Sequence, residues 1–228
     1  MDAGADLLAR AATAWQADDG VRLAGAAARL LKALPGDPAR AMPRSPWQSG
    51  PQVDAGFVAN LLAGLRAVDE RLAEQAAEHI LAWPETYGID AVLVPAARRL
   101  LNPGAQTPPA LERLRTACLA HLRARIAEPL APPADWRRDS ALRCRCRLCT
   151  ALARFLADPE RDTWVLKAAE PDRSHVEQTI KQARCDVETT TDRRGRPYSL
   201  VCTKNQASYE RRARQRKQDL EDVKRLAR

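Results

Sequence analysis

A chain of 228 residues has room for one large domain or two small ones, and its net charge of +8 and pI near 9.5 favour anionic partners without choosing among nucleic acid, acidic protein and membrane surface. Aromatic residues are only 4%, which favours helices packed through alanine and leucine, and no run reaches the roughly 18 apolar residues of a membrane span. The opening, Met1 to Asp6, lacks the basic and apolar regions of a leader. The expected location is therefore the cytoplasm, with no membrane partner, where clustered cysteines serve as thiols or metal ligands rather than disulfides.

Residues 5–34 carry apolar positions at helical spacing, broken at Asp18-Asp19-Gly20. Pro35, Pro38, Pro43, Pro46 and Pro51 then exclude a helix and leave few backbone donors for a sheet, so 35–51 reads as a loop. Helical spacing resumes at Phe57 and runs through Leu72, Ala76 and Ile80, then Val92 to Leu101, then Leu111 to Ile126, with Pro84, Pro103 and Pro129 at the ends.

The stretch from Arg22 to Pro35 echoes Arg71 to Pro84 at a constant offset of 49, with alanines at the shared positions. A fainter copy starts at Arg113. Such an echo suggests a HEAT-like helical array over residues 1–130, although Ala-rich amphipathic helices also resemble one another by composition alone. His79 and His121 lack partners at metal-ligand spacing and read as structural or surface residues, and Cys118 sits on an apolar stripe with Leu114 and Leu122.

Residues 138–206 read as a small α+β module. Asp139 or Ser140 would cap a helix carrying Leu148, Leu152, Phe155 and Leu156, closed by Asp158-Pro159. Thr163 to Ala168 reads as a short strand and Pro171 to Ala183 as a helix. Asp186 to Thr191 and Tyr198 to Thr203 flank Gly195 as a β-hairpin. A module this small often needs a staple. Cys144, Cys146 and Cys149 supply three soft donors, and tetrahedral Zn2+ requires a fourth. His175 is the first candidate, because it opens a different element, and Cys185 is the second. The alternatives are packed or free thiols, and a redox pair at Cys146 and Cys149. His175-x-Glu177 is half of a zinc deaminase signature or the start of an iron facial triad, but the residues that would complete either are missing.

The run Cys146-x-x-Cys149-x-x-Leu152-x-x-Phe155-Leu156-x-x-Pro159, then His175, then Arg194-Gly195-x-Pro197-x-x-Leu200-Val201-x-Thr203-Lys204, resembles a C-terminal region of some large 2-oxoglutarate/iron(II) oxygenase proteins. In those proteins helical, repeat-like sequence separates this ending from the dioxygenase domain. The resemblance covers about residues 140–210, and the dioxygenase half, with its His-x-Asp and distal His, is not found here. It implies an accessory region or a stand-alone relative and carries over no hydroxylase activity.

Residues 207–228 read as a basic C-terminal helix with Ser208 as cap and an apolar stripe of Leu220, Val223 and Leu226. Arg211, Arg212, Arg214 and Lys217 on this helix, with Arg193, Arg194 and Arg196 at the hairpin tip, are candidate contacts for phosphates or other anions; a solvated basic face is the plainer reading. The sequence thus points to a mainly α protein with a small zinc-stapled module, acting as a non-catalytic binding scaffold for a macromolecule, protein rather than nucleic acid. A metal-dependent enzyme or oxygenase-associated fragment, and a nucleic-acid-binding protein using its arginines, are the alternatives.

Overall fold

The computed structural model describes residues 20–37, 53–101, 106–138 and 141–227. The expected helix before Asp18, most of the Pro35–Pro51 loop, and the proposed caps Asp139 and Ser140 fall outside them. The protein is mainly α-helical with a small antiparallel sheet, and it divides into two compact units, 1–128 with 217–228, and 129–216.

The first unit contains α1 (Gly20–Lys32), α2 (Ala55–Val68), α3 (Glu70–Ala82), a π-helical turn (Ile89–Leu93) that runs into α4 (Val94–Leu100), and α5 (Pro109–Ala127). Asp69 both ends α2 and starts α3, its side chain accepting from the Arg71 N–H, so two helices follow each other with no loop. α1 and α3 carry the two copies of the sequence echo, and the matching Ala27 and Ala76 are both fully buried. Their missing side-chain bulk lets leucines of neighbouring helices fill the space: Leu61, Leu62, Leu65, Leu114 and Leu122 are all buried here.

His79 is structural, its Nε2 3.0 Å from the Pro35 carbonyl oxygen and its ring edge-on to buried Tyr87. Gly36 has φ +123°, and a Cβ there would stand 2.8 Å from the Trp83 side chain, so this corner requires glycine twice over.

The second unit contains α6 (Arg147–Ala157), β1 (Thr163–Lys167), α7 (Glu170–Gln182), β2 (Val187–Asp192) and β3 (Ser199–Lys204). The hairpin forms around Gly195, which has φ +83°. β1 pairs antiparallel with β3, giving the order β1-β3-β2 with Trp164 opposite Cys202 and Leu166 opposite Leu200. Because side chains alternate, these four residues share one face, and they cluster with Leu152, Phe155 and Leu156 of α6 and Val176 and Ile180 of α7. The opposite face leaves Val165 more than half exposed.

Two cations are buried in this unit. Arg138 donates to the carbonyls of Asp135, Arg137 and Asn205, and Lys204 donates to the Asp158 carbonyl at 2.7 Å beneath the Phe155 ring. Burial pushes the Lys204 pKa down.

The last helix, α8 (Ala207–Leu226), contributes its residues up to Arg216 to the second unit and the rest to the first. Its start differs from the expected Ser208 cap. Asn205 accepts from the Ala207 N–H at 3.2 Å, and the buried Asp186 takes both the N–H of Ser208, at 2.9 Å, and its hydroxyl. A carboxylate from the strand entry thus satisfies helix donors that a local serine would otherwise serve. Asp186→Ala should cost about 1–2 kcal/mol of stability, the range for a lost helix cap with a buried acceptor. Chemical denaturation checks this, and a cost below the resolution of the experiment would show that Asp186 caps nothing.

The apolar stripe expected on α8 holds in part: Leu226 is buried and Val223 packs against the same core. Leu220 is 52% exposed, whereas Asp219 and Asp222 are buried beside Leu226. The acids turn inward because Arg125 and Arg98 wait for them. No helix among the described residues is long and apolar enough to cross a membrane.

Candidate metal centre

The residues from Ala141 to Cys146 carry no regular secondary structure and lead into α6. Helix α6 begins later than Asp139 or Ser140 would place it: Cys146 is its N-cap, its sulfur accepting from the Cys149 N–H at 3.4 Å, and Thr150 N–H bonds to the Cys146 carbonyl. This turn points Cys146 and Cys149 to the same side of the helix start. β1 then carries the chain to α7, where His175 lies in the second turn and faces the same point.

The Nε2 atom of His175 lies 3.5 Å from Cys144 Sγ, 3.4 Å from Cys146 Sγ and 3.3 Å from Cys149 Sγ. All four ligand atoms fall within 4.8 Å of one another. A tetrahedral ion with metal–sulfur bonds near 2.3 Å and metal–nitrogen bonds near 2.0 Å sets its nitrogen and sulfurs about 3.5 Å apart and its sulfurs about 3.8 Å apart. The observed spacings suit such a site, and the group can hold a metal ion.

The electrostatics are graded across the cluster. Cys146 is exposed, and the backbone N–H of Cys149, the largest of several hydrogen bonds to its sulfur, lowers its pKa to about 6. Cys149 is buried, and desolvation raises its pKa to about 11. Coordination requires all three sulfurs as thiolates, so loading the site releases protons. Thr179 braces both sides: its hydroxyl donates to the His175 carbonyl at 2.8 Å and lies 3.6 Å from Cys149 Sγ.

Cys185, the second candidate for the fourth ligand, is not in this cluster; it packs against the second unit's core. Cys118 and Cys202 are fully buried, with burial raising each to about 12. Glu177, the base that an enzymatic reading needs, is engaged by Lys181 at 2.7 Å.

The basic residues of the second unit do not form one patch. Arg193, Arg194 and Arg196 occupy the exposed turn between β2 and β3, while α8 starts beyond the other end of β3. A strand of this length separates the groups by about 20 Å. Arg211 lies 3.8 Å from Asp186, Arg212 donates to the Pro129 carbonyl at 3.1 Å, and Arg214 lies 3.8 Å from Glu210. Lys217 is exposed on the part of α8 that belongs to the first unit.

Sequence reasoning missed the polar clamp on α8. Arg125 is bound in parallel fashion by Asp219 and by Asp90, at 2.7–2.8 Å, and Asp90 also meets His121 at 3.1 Å. The spacing of Asp219, Asp222 and Leu226 is a helical stripe, and only the assumption that buried faces are apolar hid it.

No protein-family model matches this chain, and no curated protein or solved structure matches it.

Proposed function

We propose that residues 129–216 are a zinc-stapled, non-catalytic binding module, accessory to a larger system and directed at a protein partner. The carrying observation is the convergence of three sulfurs and one imidazole nitrogen on a single point. Zinc is the ion that this donor set selects, because thiolate and imidazole suit a borderline-soft cation without redox chemistry. Four protein ligands fill a tetrahedron and leave no position for water or substrate, which is the pattern of a structural rather than a catalytic site. The resemblance to oxygenase endings supports the accessory placement and nothing further.

Elemental analysis of the purified, tag-free protein tests this reading, with thiol titration on the same sample. The expected result is about one zinc per chain, with the cluster thiols protected until a chelator is added. Absence of metal, with Cys144 and Cys146 titrating freely, overturns it. Iron in place of zinc would favour the enzymatic alternative.

Arg193 and Arg196, which have no ion pair among the described residues, favour a second reading in which the hairpin tip contacts phosphates. That reading requires an affinity for nucleic acid that falls steeply with salt. Binding that ignores salt, or none at low salt, removes it.

A further inference from the structure

A pocket of about 600 Å³ opens beside the metal cluster, bordered by Arg143, Cys144, His175, Gln178 and Gln182. His175, Gln178 and Gln182 follow each other at three- and four-residue intervals and so lie on one face of α7. Arg143, Gln178 and Gln182 are all exposed, and none has a side-chain hydrogen bond or ion pair among the described residues. Among the described residues no carboxylate lines the pocket. Nε2 of His175 is turned to the sulfurs, which leaves Nδ1–H as the ring's donor when a metal is bound. Metal-bound imidazoles almost always give that hydrogen to a carboxylate, a carbonyl or water, and the described protein offers His175 no such acceptor.

We infer that this pocket receives a carboxylate from the partner protein, a Glu or Asp side chain, which completes the hydrogen bonding of His175 and is held by Arg143, Gln178 and Gln182. The inference rests on the zinc reading, since the metal fixes the imidazole tautomer. A guanidinium and carboxamides match the planar, two-oxygen edge of a carboxylate. Charge argues against phosphate. Zinc with three thiolates and a neutral imidazole carries about one net negative charge, which repels a dianion more than a monoanion at the same distance.

The test uses the zinc-loaded full chain, labelled with ¹⁵N, and a short Glu-containing peptide capped at both ends. Saturable shifts of the Gln178 and Gln182 side-chain amides and of the His175 ring nitrogen are expected. Arg143→Ala should weaken binding by about tenfold, the size of one charge-assisted hydrogen bond, with the backbone spectrum and zinc content unchanged. Gln182→Ala should weaken it less, and Arg194→Ala, at the distant hairpin turn, should leave it as it was. Equal binding of the peptide with Gln in place of Glu, tighter binding of inorganic phosphate, or shifts confined to the hairpin arginines would each overturn the pocket. Zinc present without any response overturns the pocket alone, whereas a chain that holds no zinc overturns the metal reading with it.

Discussion

Replacing Cys146 and Cys149 together by serine should unfold the module of residues 141–204 and leave the helices of the first unit folded. The reason is one of scale. The module's core rests on few large side chains, chiefly Leu152, Phe155, Leu156, Val176, Ile180 and Leu200. A core of that size rarely yields more than about 3–5 kcal/mol of net stability. Structural zinc is worth an apparent 10–16 kcal/mol or so near neutral pH, and it binds only the folded arrangement. Two lost thiolates remove most of that term. A bound ion would also tie the entry of α6 to α7 across 26 residues, from Cys149 to His175, so its loss would free both helices at once.

Hydrogen exchange read segment by segment is the measurement. Amides of α6, α7 and the sheet should exchange at unfolded rates in the double variant, while those of α2, α3 and α5 keep their protection. Chelation of the parent protein should reproduce the pattern, and readdition of zinc should reverse it. Equal protection of both units in the variant would sink the idea.

Arg125→Ala should destabilise the first unit by about 2–4 kcal/mol, at the lower side of the range for breaking a buried pair because the guanidinium is partly exposed. Asp219 is only 1% exposed and takes two hydrogen bonds from Arg125. Without the guanidinium its buried charge loses its principal compensation. The smaller effect comes from Asp90, half exposed on the other side of Arg125.

The hydrogen bond and charge of Arg125, opposed in part by desolvation, hold the Asp90 carboxyl below the usual carboxylate range. A lowered folded pKa contributes stability above the unfolded value, near pH 4, and that contribution is lost as the pH falls through the lowered value. The stability gap between parent and variant should therefore be full at neutral pH and narrow below about pH 4. Thermal denaturation across that range decides it. A gap of the same size in acid would show that the stabilisation is not ionic, and a loss below about 1 kcal/mol at neutral pH would show that the clamp is ornamental.

Features that repeat at short range are legible from the residues alone. The helical spacing of Leu111, Leu114, Cys118 and Leu122 marks α5 because one buried face recurs every three or four residues. Gly195 between two β-branched runs marks the hairpin because few other residues accept its backbone angles. The three cysteines announce a soft-metal donor set because they lie within six residues of one another.

Only packing between distant elements places His175, and not Cys185, beside the three sulfurs. β1 and its pairing with β3 set where α7 begins, and no local pattern states that distance. Likewise no local pattern marks Asp219 and Asp222 as buried, and it is Arg125 and Arg98, about a hundred residues earlier, that meet them. Burial of a charge is a property of its partner, and the partner is fixed by packing between elements far apart in the chain. The same holds for Asp186 at the start of α8 and for the glutamines that line the pocket beside His175. Short-range periodicity dictates which elements form, and long-range packing dictates which polar atoms meet.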